Sequence, residues 1–96
     1  MTSKQRAYLK SLAANLTPMF RIGKSGLTPE IVAAVEECFN THELVKGSVL
    51  KNCLEDPRAM SDIVAGRVHA EVVQVIGRKM ILYRPDPDHP RIVLPK

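Results

Sequence analysis

Apolar residues recur at helical spacing near the start of the chain. Tyr8, Leu9, Leu12, Ala13 and Leu16 fall on one face, and Lys4, Arg6 and Lys10 on the other. Ser3 can cap this helix, and Pro18 stops it from continuing. Met19 to Ile22 then alternates as a short strand, with Phe20 and Ile22 on one side and Arg21 on the other. Thr28-Pro29-Glu30 signals a second helix: a capping hydroxyl, a proline where no N–H is needed, and an acid at the positive end of the dipole. Ile31, Val35, Cys38 and Phe39 form its buried stripe, and it should end near His42. Leu44 to Leu50 reads as a second strand, with Val45 and Val49 facing away from Lys46 and Ser48. Asp56-Pro57 repeats the cap-and-proline signal. Ala59, Met60, Ile63 and Val64 give a third helix running to about His69, weakened by Gly66. Val72 to Ile76 and Met80 to Arg84 are strand-like runs flanking a two-residue turn at Gly77-Arg78. The order is α-β-α-β-α-β-β, an α/β chain of the two-layer α+β kind.

Strand parity sharpens this expectation. If Phe20, Ile22, Val45, Val49, Val73, Val75, Ile81 and Tyr83 face the helices, then Arg21, Lys46, Ser48, Gln74 and Arg84 share the opposite, polar and basic face. Ile76, Met80 and Leu82 then fall on that basic face without explanation.

Ninety-six residues, 45% apolar and 25% charged, suit one domain with one modest core. Four of the seven prolines (Pro85, Pro87, Pro90 and Pro95) lie at the C-terminus. The expectation is therefore a single domain over residues 1–84 and an extended tail over 85–96, with Ile92 to Leu94 pressed onto the domain. The net charge of +4 is segmented. Residues 1–27 hold Lys4, Arg6, Lys10, Arg21 and Lys24 with no acid, whereas Thr28 to Val45 holds Glu30, Glu36, Glu37 and Glu43 with no base. With only Tyr8, Phe20, Phe39 and Tyr83 as aromatics, a stacking platform for bases is disfavoured. No run approaches the roughly 18 apolar residues of a membrane helix, so a soluble, cytoplasmic protein is expected. Cys38 and Cys53 form no metal-binding or disulfide pattern, and neither a metal nor an organic cofactor is implied.

The most informative segment is Gly23-Lys24-Ser25-Gly26, between a strand and a capped helix. Two glycines allow a sharp turn and close approach of a partner. Lys24 adds a cation, Ser25 a hydroxyl, and the N–H groups opening the next helix favour an anion. A sugar-phosphate backbone fits this geometry, as it fits the Gly-x-x-Gly loop of KH domains. A Walker A loop is excluded, because the earlier glycine it requires is missing from positions 17 to 22. No nucleophile with a positioned base and no converging carboxylate pair stands out, so no enzyme is expected. His42 is read as satisfying last-turn carbonyls of the second helix.

The run Pro18-Met19-Phe20-Arg21-Ile22-Gly23-Lys24-Ser25-Gly26-Leu27, then His42-Glu43-Leu44-Val45-Lys46, Val73-Gln74-Val75-Ile76-Gly77-Arg78 and Leu82-Tyr83-Arg84, resembles the CRM domain (chloroplast RNA splicing and ribosome maturation) in its stand-alone bacterial YhbY-like form. The resemblance spans residues 2 to about 84. It implies a four-stranded mixed sheet similar to the C-terminal domain of translation initiation factor three. It also implies RNA as the partner, with ribosomal RNA in precursors of the large subunit, and hence pre-ribosomal particles, favoured by the single copy. On this basis Gly23, Lys24, Ser25 and Gly26 form the contact loop, flanked by Arg21, Lys46 and Arg84. Lys4, Arg6 and Lys10 of the first helix join them if that helix packs beside the loop. Two departures stand out. Gly47-Ser48 follow Lys46, where the family continues with an apolar and then a basic residue, and His69-Ala70 precede the third strand, where the family tends to have glycine.

A different class of function remains open at this point: a protein-interaction adaptor docking through Glu36, Glu37 and Glu43 and the apolar residues of the sheet. No membrane or small-molecule partner is expected under either reading.

Overall fold

The computed structural model describes the whole chain, Met1–Lys96. Seven elements follow in the expected order: α1 (Ser3–Ala13), β1 (Phe20–Ile22), α2 (Pro29–Thr41), β2 (Leu44–Val49), α3 (Pro57–Arg67), β3 (Glu71–Ile76) and β4 (Lys79–Tyr83). Thr28 Oγ1 accepts from the Ile31 N–H, and the Asp56 carboxylate accepts from the Ala59 N–H, so both cap-and-proline signals start helices as expected. The cap of α1 is Thr2, not Ser3. Thr2 accepts from the Gln5 N–H at 3.1 Å while the Gln5 side chain accepts from the Thr2 N–H at 3.0 Å. This reciprocal box satisfies two groups, where a Ser3 cap would leave Gln5 unused.

α3 closes earlier than its apolar pattern suggests. His69 takes φ +57°, and the Ala70 N–H reaches back to the Ala65 carbonyl at 2.9 Å, a left-handed helix stop usually built on glycine.

The strands form one mixed sheet in the order β1-β2-β4-β3. β1 and β2 are parallel, joined through α2, while β2–β4 and β3–β4 are antiparallel. On one face, Val35 and Phe39 of α2 and Met60, Val64 and Ala65 of α3 pack with Phe20, Ile22, Val45, Val49, Met80 and Leu82. The opposite face is not bare. Leu9 and Ala13 of α1 pack there with Leu44, Val73, Ile81 and Tyr83, joined by Leu16, Ile92 and Leu94. The two expected layers thus gain a partial third.

This arrangement corrects the parity expectation. Phe20, Ile22, Val45 and Val49 do face α2 and α3, but Ile81 and Tyr83 face α1, and Met80 and Leu82 take the principal core. The register slips between Val72 and Gln74, which turns Val73 toward α1 as well. Gly47 lies on the principal face, pressed by the Phe20 ring. A Cβ there would stand 2.2 Å from the ring's Cζ, so the Gly47 departure serves packing and takes nothing from the polar face.

Residues 85–96 contain no helix or strand and are bound to the domain through Glu43. The Glu43 carboxylate is buried and accepts backbone N–H bonds from Asp86 (2.8 Å), Ile92 (2.7 Å) and Arg91. Burial is the largest influence on this carboxyl and opposes its ionisation. The three N–H groups and the Arg91 charge together outweigh it and hold the pKa below its ordinary value. Gln5 Nε2 donates to the Pro95 carbonyl at 3.0 Å and secures the far end.

Candidate nucleic-acid interface

The glycine loop is a tight turn at the end of β1. The Gly26 N–H donates to the Gly23 carbonyl at 2.9 Å, and Lys24 and Ser25 form the exposed tip. Gly26 has φ +69° and is the position that requires glycine. A Cβ on Gly23 would meet Leu50 and Asn52 at an ordinary 3.6 Å. The chain then passes through Leu27 to the Thr28 cap, so the turn leads directly into the N-terminus of α2.

Beside the loop, the Arg78 guanidinium donates to the Leu50 carbonyl at 3.1 Å. The Leu50 N–H in turn donates to the Ile22 carbonyl at 2.8 Å. The glycine loop, the exposed Lys51 turn and the β3–β4 hairpin therefore meet at one end of the sheet. A shallow groove runs from Ser25, Gly26 and Leu27 to Met60, Ile63 and Arg67 of α3, with Glu55 the one acid on its wall.

Arg21, Lys46, Ser48 and Gln74 do share one sheet face. Arg21 pairs with Ser48, Ser48 with Lys79, and Lys46 and Gln74 both with Ile81. This is the part of the α1 side that α1 leaves open. Lys79 Nζ lies 3.3 Å from Ser48 Oγ, so the position where the resembling family carries a base receives its positive charge from the neighbouring strand. Parity assigned Ile81 and Tyr83 to the wrong side and took Lys79 with them. The signal was present, two residues before Ile81 in the same period, but it depended on knowing where α1 lies.

The remaining sequence candidates do not converge. α1 crosses the sheet against β2 and β3 and does not pack beside the glycine loop. Lys10 comes to the open half of the sheet, whereas Lys4 lies about 9 Å further along the helix axis. Arg6 is engaged in the fold: its guanidinium donates to the Val72 and Val73 carbonyls at 2.8 and 2.6 Å, where the register slips, and lies 3.9 Å from Glu71. Arg84 turns to the other face. It binds Glu36, donates to the Val68 carbonyl, and sits 4.9 Å above the centre of the Phe39 ring. By contrast, Lys10, Arg21, Lys24, Lys46 and Lys79 have no carboxylate partner within salt-bridge distance.

The acidic surface required for an adaptor is diminished in the same way. Glu43 is buried under the tail and Glu36 is held by Arg84, leaving Glu37 exposed. The His42 backbone N–H donates to the Cys38 carbonyl at 2.9 Å and its ring Nδ1 lies 3.3 Å from the same oxygen, so the residue finishes α2. Cys38 and Cys53 are free thiols, and burial followed by the Glu37 charge pushes the Cys38 pKa up. No group of His, Cys, Asp or Glu is placed to hold a metal ion, and no helix is long and apolar enough to cross a membrane.

Comparison with known proteins gives a consistent set of relatives. The family model described as the CRS1 / YhbY (CRM) domain matches residues 1–84. A Bacillus subtilis protein named "Probable RNA-binding protein YqeI" is 35% identical over 95 residues, covering 99% of each chain. A Haemophilus influenzae protein named "RNA-binding protein" is 34% identical over 96 residues, covering 100% of this chain and 96% of that one. Among solved structures, the hypothetical protein SAV1595 of Staphylococcus aureus superposes with a TM-score of 0.83 at 35% identity over 99% of both chains.

Proposed function

Because the chain belongs to the CRS1 / YhbY (CRM) domain family, we propose that it is a non-catalytic RNA-binding protein. Its RNA is ribosomal, in precursors of the large subunit, and it acts in the cytoplasm during ribosome assembly. The observation that carries this reading is the run of unpaired cations around the turn that opens α2. Lys24 stands exposed at the tip, and Arg21 lies just before it on the open sheet face. Gly23, Ser25 and Gly26 let the RNA backbone approach, and Lys4 adds long-range attraction from the far end of α1. Contacts of this kind position phosphates and read little sequence, so recognition rests on RNA shape.

The test is charge reversal at the tip. Lys24 is exposed and makes no salt bridge, so Lys24→Glu should leave the thermal transition in place and lower affinity for a large-subunit ribosomal RNA transcript by about tenfold or more, an order-of-magnitude expectation for reversing one phosphate contact. Unchanged affinity in an equilibrium filter-binding assay would remove the loop from the interface.

A further inference from the structure

Between the C-terminal half of α1 and the open half of the sheet lies a concavity of about 260 Å³. Lys10 comes from α1, Lys46 from β2 and Lys79 from β4, with Gln74 beside them and Ile76, Ile81 and Ala13 forming the apolar part of the wall. No acid lines it, and none of the three lysines has a salt-bridge partner. Three like charges brought together from three elements repel one another unless an anion joins them. Ser48 holds Lys79 toward this face, and Lys46 is half-buried, so two of the three side chains are directed by their surroundings. The carbonyl end of α1 at Ala13 and Ala14 opposes an anion, but with about half a charge against three.

We propose that this cleft is a second RNA contact site, in which Lys10, Lys46 and Lys79 hold backbone phosphate and Gln74 offers its amide. Ile76, 60% exposed and otherwise unexplained on a polar face, receives the apolar side of a ribose. The inference rests on the RNA-binding reading and extends it. Arg21 on β1 pairs with Ser48 of β2, and Ser48 with Lys79 of β4, so the register sets Arg21 between the glycine loop that ends β1 and the cleft, and one strand of RNA backbone can touch both. This continuity, and a volume larger than one phosphate needs, favour a nucleotide of RNA over a free anion.

The test titrates the full chain against a fluorescently labelled large-subunit ribosomal RNA transcript at several salt concentrations. Lys79→Gln and Lys46→Gln are each expected to weaken binding about three- to tenfold and to reduce the salt slope by about one, with thermal unfolding unchanged for the exposed Lys79 variant. If both match the wild type while Lys24→Glu binds poorly, the cleft is not a contact site and the RNA-binding reading survives. If none of the variants differs from the wild type, that reading fails as well. Inorganic phosphate at matched ionic strength, followed through the amide resonances of Gln74 and Lys79, should give no saturable site. A saturable phosphate site together with wild-type RNA binding by Lys79→Gln would make the cleft a small-anion pocket and overturn the proposal.

Discussion

His69 holds a conformation that costs an L-residue roughly 1 kcal/mol or more, because its Cβ crowds the following carbonyl. The geometry persists because Ala70 closes on Ala65 and because Val68, fully buried beside it, fixes the exit from α3. The His69 side chain is exposed. His69→Gly should therefore raise stability by about 0.5–1 kcal/mol, the left-handed relief being partly offset by the greater freedom of the unfolded chain. A urea titration read by circular dichroism measures it; a lower midpoint would mean that the imidazole contributes a contact the backbone account lacks. Gly47 shows the opposite logic, a residue whose missing side chain is the space that Phe20 fills.

Among the elements, the C-terminal segment depends most on a single group. Glu43 ends three backbone N–H bonds from residues otherwise outside any helix or strand, and Ile92 and Leu94 complete the core beneath α1. Since the folded pKa of Glu43 lies below its ordinary 4.5, its contribution is fully present above about that pH and is lost as pH falls through the folded value. Glu43→Gln should cost about 1.5–3 kcal/mol at neutral pH and flatten the acid limb of the stability profile. Equal midpoints for variant and wild type at neutral pH would show that the segment is held without Glu43, by its apolar residues and the Gln5–Pro95 bond. Much of the element order was legible because Thr28-Pro29 and Asp56-Pro57 state their helix starts locally, and the glycine loop was legible for the same reason. Sidedness was not. Whether Ile81 or Leu82 meets the principal core depends on where α1 comes to rest, and the slip at Val73 interrupts the alternation that would have revealed it. Arg6 and Arg84 looked like free cations in a list of charges. Their partners, the Val72 and Val73 carbonyls and Glu36, are 48 to 67 positions away in the chain.

At the scale of the whole molecule, a sheet covered on one face by α2 and α3, and on half of the other by α1 and the tail, leaves one exposed quarter. Cations without partners collect there and around the loop at its edge, while two of the carboxylates between Thr28 and Val45 are used internally. The modest net charge of +4 therefore understates the local field. The radius of gyration is 12.8 Å, so only a limited stretch of RNA can be contacted at once, and affinity must come from several phosphates in one continuous line. The most direct measurement is the salt dependence of binding between the unmodified chain and a large-subunit ribosomal RNA transcript. With roughly four or five phosphates engaged, the log–log slope should be about −3 to −4. A slope near zero, with affinity retained at high salt, would contradict backbone-directed binding.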